Sequence, residues 1–200
     1  GTGEDVGSTL INNPHMEAIS VTGSQKTGAH ALEAASNKIR HVHLELGGKA
    51  PVIVFDDANI DAVAETVRYG SFFNAGQDCA QPCRIMVQNN VYDEVVSAIV
   101  EQVEQIQVGA QKEDGTEMGP LISATQRDAV AGFVERAKAT CDVATGGNAI
   151  DKQGFFYQPT VLTNVPNDAE AACKEIFGPV VTIERFSTEE DALSIANASS

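Results

Sequence analysis

Apolar and polar residues alternate in His41–Leu46 (HVHLEL), and a period of two predicts a strand; the short β-branched run at residues 18–22 (AISVT) predicts another before it. Between them, residues 24–36 (SQKTGAHALEAAS) predict a helix with Ser24 as its N-cap. Gly47-Gly48 ends the second strand, and residues 51–55 (PVIVF) form a nearly continuous apolar run, the pattern of a strand buried on both faces. Residues 60–73 predict a helix capped by Asn59 or Asp57 and stopped near Gly76, and residues 84–88 predict a strand. In residues 91–106, Tyr92, Val96, Ile99, Val103 and Ile106 recur at spacings of three and four. Glu94, Glu101 and Glu104 lie opposite, so the segment predicts an amphipathic helix. A polar connection over 108–121 leads to a helix over 123–140 with Val130, Phe133, Val134 and Ala137 on one side. Strands near Val143, at Thr160–Thr163 and at Val180–Phe186, then a helix from Glu189, complete the chain. Strands alternating with helices predict an α/β fold with a parallel-rich sheet. The paired glycines at 47–48 permit a change of direction and mark the expected boundary between residues 1–46 and 47–200.

Charge narrows the function. Thirteen basic residues against 28 acidic ones give a net charge of −15. Phosphate contacts need clustered Lys and Arg, so the balance argues against a nucleic-acid partner and against a polybasic membrane surface. No apolar run approaches the roughly 20 residues of a membrane span. The 200 residues suffice to bury roughly 70% of the chain's surface without disulfide or metal. Cys79, Cys83, Cys141 and Cys173 are irregularly spaced and too few for a disulfide scaffold, which points to a reducing compartment, the cytoplasm. The chain opens on a glycine-rich turn, Gly1-Thr2-Gly3, without a start methionine, and stops inside its last helix. It is therefore expected to be a piece of a longer protein.

Three places carry candidate chemistry. Cys79 follows a helix end on a loop, where reactive groups concentrate, and a thiol there can form a covalent intermediate. The bland alternative is a small buried hydrophobe. Glu45 ends a strand beside the double glycine, either as a carboxylate that activates water or as a solvated charge. Gly23 and Ser24 open a helix after a strand, with Gly28 one turn on. A helix N-terminus suits a phosphate, and a plain structural turn is the alternative. His41 and His43 with Cys79 and Cys83 leave a metal or redox module as a rival, although their spacing lacks the tight pairs of zinc sites.

Taken together, Val21-Thr22-Gly23-Ser24, Glu45-Leu46-Gly47-Gly48-Lys49, Phe73-Asn74-Ala75-Gly76-Gln77-Asp78-Cys79 and Glu175-Ile176-Phe177-Gly178-Pro179 resemble the NAD(P)-dependent aldehyde dehydrogenase superfamily, in that order. The separations, 34 residues from Glu45 to Cys79 and 96 from Cys79 to Glu175, are also like the family's. The Gly76-Gln77-Asp78-Cys79 stretch and Cys83-Arg84 are most similar to bacterial γ-aminobutyraldehyde dehydrogenases, with betaine-aldehyde enzymes next. The resemblance implies the end of a Rossmann-like cofactor domain (1–46), then a truncated catalytic thiol domain (47–200). It implies Cys79 as nucleophile and Glu45 as the base that activates water. It also implies Gly23, Ser24, Gly28, Leu46, Glu175 and Phe177 around the cofactor, which is NAD with NADP as the alternative, and no metal. Its substrate would be a small aldehyde, an aminoaldehyde by likeness, and the whole protein a homo-oligomer. A piece of such an enzyme without catalysis of its own is the remaining alternative. Two departures stand out: Val21 where the family often has Phe, and Ala80 where many members carry Thr.

Overall fold

The computed structural model describes residues 1–198, so the tail Ser199-Ser200, read above as part of the last helix, lies outside the described residues. The chain divides into two compact units, Gly1–Gly47 and Gly48–Ser200.

In the first unit, strands β1 (Ala18–Gly23) and β2 (His41–Leu46) pair in parallel, Thr22 opposite Glu45 and Gly23 opposite Leu46. The connection is helix α2 (Gln25–Ser36), as a parallel pair requires a crossover. Ser24 is its N-cap: the hydroxyl oxygen accepts from the Thr27 N–H at 3.2 Å. Ile19, Ala31 and Ala35 form the small core. The glycine-rich opening is helical rather than a turn. A π-helical turn, Gly3–Gly7, runs into the short helix α1 (Ser8–Ile11), with Thr2 Oγ1 accepting from the Asp5 N–H as a cap.

The second unit holds a five-stranded sheet in the order β3-β4-β7-β6-β5, formed by Ala50–Val54, Pro82–Gln88, Val180–Phe186, Thr160–Thr163 and Asp142–Thr145. All pairs are parallel except β5 with β6. Side chains of the central strands alternate between two apolar layers. Ile85, Val87 and Ile183 pack with α4 (Tyr92–Glu104) and α5 (Ala124–Ala137), while Met86 and Phe186 pack with Ala192 and Ile195 of α7 (Glu189–Ala196). Helices thus cover both faces, and β4 and β7 are almost wholly buried.

Four expectations change. The run at 51–55 is not a strand buried on both faces: β3 is an edge strand, Pro51 is exposed, and only Val54 is fully buried. Pro51 lacks a backbone N–H, which suits an edge. In α4 the inward residue is Val95, and Val96 is half-buried. In α5, Val130, Val134 and Ala137 are buried, whereas Phe133 is only half-buried, under the Arg136 guanidinium. The helix expected over 60–73 is α3 (Ile60–Thr66), capped by the Asn59 side chain, followed by a π-helical turn, Val67–Ser71. A short helix, α6 (Glu170–Cys173), precedes the Glu175 turn without having been expected.

One feature of the sheet is polar. Arg84 and Glu184, on neighbouring strands β4 and β7, form a fully buried bidentate ion pair, with Arg84 Nη2 to Glu184 Oε2 at 2.8 Å and Nε to Oε1 at 2.9 Å. Lys49 is also buried, and its Nζ has no hydrogen-bond partner among the described residues. Burial pushes its ammonium pKa below the usual lysine value, the strongest of the influences on it.

Candidate active site

In the first unit the strand–turn–helix at residues 18–36 sets Gly23, Ser24, Gly28 and Leu46 close together. Gly23 ends β1 in register with Leu46. Gly28 is buried on the inner face of α2, where a Cβ would come within 2.8 Å of Leu46 Cδ1. The first turn of α2 carries no acidic residue, so no carboxylate of its own offsets the positive end of its dipole. Ser24 Oγ accepts from the Thr27 N–H and lies 3.0 Å from Thr27 Oγ1, the N-cap expected of it.

Glu45 is exposed on β2, one strand period from His43, and the two side chains meet at 3.3 Å between His43 Nε2 and Glu45 Oε1. His43 Nδ1 lies 3.2 Å from Ser20 Oγ on β1. Both side chains of the pair are well over half exposed, so the contact contributes little to stability. The carboxylate is therefore not locked in a structural ion pair.

In the second unit, Cys79 lies between the π-helical turn and β4. Of the four cysteines it alone is exposed: Cys83 and Cys141 are buried and Cys173 is half-buried. The backbone before it is unusual. Asn74, Ala75 and Gly76 are all left-handed, with φ of 50°, 55° and 67°. Two of the three carry a Cβ, which makes the conformation costly, on the order of 1 kcal/mol each. Asn74 Nδ2 donates to the Gln77 carbonyl at 2.9 Å and Gln77 Nε2 donates to the Asn74 carbonyl at 3.0 Å, closing the turn on itself. Gln77 Oε1 also accepts from the Ile122 N–H, which ties the turn to the start of α5.

Glu175 lies in the turn between α6 and β7, half-buried, and its Oε1 accepts weakly from the Gly48 N–H at 3.4 Å. Phe177 is also left-handed, with φ of 54°, and its ring is 37% exposed. Gln126 Nε2 donates to the Phe177 carbonyl at 2.8 Å and holds that turn against α5. Glu45 belongs to the first unit, and Cys79, Glu175 and Phe177 belong to the second. Among the described residues no group of three or more His, Cys, Asp or Glu side chains is arranged to hold a metal ion. No helix among them is long and apolar enough to cross a membrane.

Known proteins are similar to this chain in sequence and in fold. The pattern of the aldehyde dehydrogenase family matches residues 1–200. The chain belongs to the aldehyde dehydrogenase family.

Among its relatives in the family, betaine aldehyde dehydrogenase from Brucella anthropi is 38% identical over 198 residues, covering 96% of this chain and 41% of that protein. The Brucella ovis enzyme of the same name is 37% identical over 200 residues. A mutant aldehyde dehydrogenase from Bacillus cereus superposes with a TM-score of 0.97 at 36% identity, covering 100% of this chain and 41% of that one. A betaine aldehyde dehydrogenase from Staphylococcus aureus in complex with NAD+ gives 0.96 at 38% identity. The chain therefore spans about two fifths of the length of the family members it matches.

Sequence reasoning missed Gln81, a buried glutamine two residues after Cys79. It also missed the Arg84–Glu184 pair, although charged residues inside two mostly apolar strands were a signal available in the sequence.

Proposed function

We propose that the whole protein containing this chain oxidises an aldehyde to the carboxylic acid with NAD+, or with NADP+ in its place. The observation that carries this reading is Cys79: it is the one exposed thiol of four, on a strained and internally braced loop, in a chain of the aldehyde dehydrogenase family. In this reading the Cys79 sulfur attacks the carbonyl carbon, a C–S bond forms, and the carbonyl oxygen becomes a tetrahedral oxyanion. The backbone N–H of Cys79 is the candidate donor to that oxygen. The thiolate is the attacking form, so the thiol proton leaves before or during attack.

The residues fit a dinucleotide. The N-terminus of α2, free of acidic residues, suits the pyrophosphate, and Gly23 and Ser24 lie at that turn. Gly28 lets α2 close onto Leu46, which we assign to the nicotinamide side. Glu175, whose carboxylate among the described residues accepts a long 3.4 Å bond from the Gly48 N–H, has lone pairs left to accept from ribose hydroxyls, and Phe177 flanks it in sequence. When bound, the cofactor supplies the hydride acceptor, and the carbon held by Cys79 is left as a thioester. Glu45 then takes a proton from water, the hydroxide oxygen attacks the thioester carbon, the C–S bond breaks, and the acid leaves with Cys79 restored.

The substrate class we assign is an aminoaldehyde, supported by the betaine aldehyde dehydrogenases among the relatives. A homo-oligomer working in the cytoplasm completes the proposal. An aldehyde panel with NAD+ and NADP+, run on the full-length protein and on its Cys79→Ala variant, tests it. NADH formation favouring a γ-amino or quaternary-ammonium aldehyde, abolished in the variant, is expected. Undiminished NADH formation by Cys79→Ala would overturn the nucleophile assignment.

A further inference from the structure

The segment Gly76–Gln81 carries Cys79 near its middle, and both of its ends meet one carbonyl group, that of Gly178. At the first end, Gly76 packs so tightly that a Cβ would overlap the Gly178 carbonyl and come within 2.6 Å of Gln81 Nε2. At the other end, Gln81 Nε2 donates to the same Gly178 carbonyl at 3.1 Å. Its second N–H goes to the Ser71 carbonyl at 2.7 Å, in the π-helical turn that leads to the Cys79 loop. Ser71 in turn donates from Oγ to the Pro82 carbonyl at 2.6 Å. Gly178 is itself fixed, because a Cβ there would run into Val130 of α5.

Gln81 is 5% exposed and spends both amide hydrogens on this bridge. The amide spans 10 residues in one direction and 97 in the other. It therefore links the turn before the thiol, the thiol's own loop and the Glu175–Gly178 turn. We propose that Gln81 is a positioning residue, which holds the Cys79 loop in register with the Glu175–Phe177 turn so that the thiol and the cofactor side of the site keep a fixed spacing. The inference rests on Cys79 as nucleophile and Glu175 as a cofactor residue. Misplacement of a reacting group by about 1 Å can cost on the order of a hundredfold in rate. Loss of the amide bridge therefore reads out in the chemical step more than in substrate binding.

The test is a stopped-flow NADH burst on the full-length enzyme, with wild type, Gln81→Met, Gln81→Glu and Cys79→Ala. Methionine keeps the volume and removes both donors, and glutamate supplies a second donor-free variant should the first fail to fold. The expected result is a burst rate constant reduced about tenfold or more, with the aldehyde KM within about threefold of wild type and a cooperative melting transition retained. A purely structural glutamine would lower the melting temperature and leave the burst rate of the folded protein within about twofold of wild type. That result overturns the inference if Cys79→Ala has lost its burst. A burst surviving in Cys79→Ala would instead sink the catalytic reading on which the inference rests.

Discussion

Gly28 and Leu46 are in such close contact that any side chain at position 28 must displace the leucine: a Cβ there would stand 2.8 Å from Leu46 Cδ1 and 3.0 Å from Cδ2. The glycine lies inside helix α2, where it costs about 1 kcal/mol relative to alanine. The Gly28→Ala variant therefore has two opposing effects on stability, since the helix gains and the flexible end of Leu46 yields. We predict a melting temperature within a few degrees of wild type and a raised KM for NAD+, because Leu46 is the residue assigned to the nicotinamide side. An unchanged KM would separate Leu46 from the cofactor.

The Arg84–Glu184 pair is fully buried, so each charge relies on the other. Glu184→Ala leaves a guanidinium stranded between strands β4 and β7, and a loss of roughly 3–5 kcal/mol is expected in urea unfolding. Replacing both residues by methionine should recover most of that loss, since the desolvation cost goes with the charges. A double variant as unstable as the single one would show that the pair contributes more than its own neutralisation.

Lys49 predicts a pH dependence. Its folded-state pKa lies below the ordinary 10.5 because burial disfavours the ammonium form. Below that lowered pKa both folded and unfolded chains hold the proton, and the full desolvation penalty is present. Between the lowered pKa and 10.5 the unfolded chain binds more protons, so stability rises with pH and the penalty is relieved. Urea midpoints measured from neutral pH to pH 10.5 should climb in the wild type by more than in Lys49→Met. Parallel curves would remove the lysine as the source.

Much of the fold was legible in the residues. The alternation in HVHLEL and the Ser24 cap mark β2 and the start of α2 because those signals are local. The PVIVF run misleads because an apolar strand is the same string whether it lies at the centre or the edge, and only the pairing partners decide. Val95 and Val96 are adjacent valines, so a small rotation of α4 decides which points inward. The π-helical turn at Val67–Ser71 shifts the phase by part of a turn and leaves no mark in composition. Candidate site residues were found as motifs, whereas Gln81 reads as an ordinary surface glutamine, since its partners lie 10 and 97 residues away.

Glu175 offers a separate check on the cofactor side. Among the described residues its carboxylate makes a long bond to the Gly48 N–H, and Glu175→Gln keeps the shape and loses the charge. A lowered rate of NADH formation with an intact fold is expected, since charge-assisted bonds to hydroxyls are about twice as strong as neutral ones. Wild-type kinetics in Glu175→Gln would place the ribose elsewhere.

The division of labour between Cys79 and Glu45 is the centre of this account, and pre-steady-state NADH formation by Glu45→Gln in the full-length enzyme tests it most directly. The account predicts a burst of about one NADH per active site followed by little turnover, because the thioester forms and no base activates water to release it. Steady-state turnover equal to that of the wild type would contradict it.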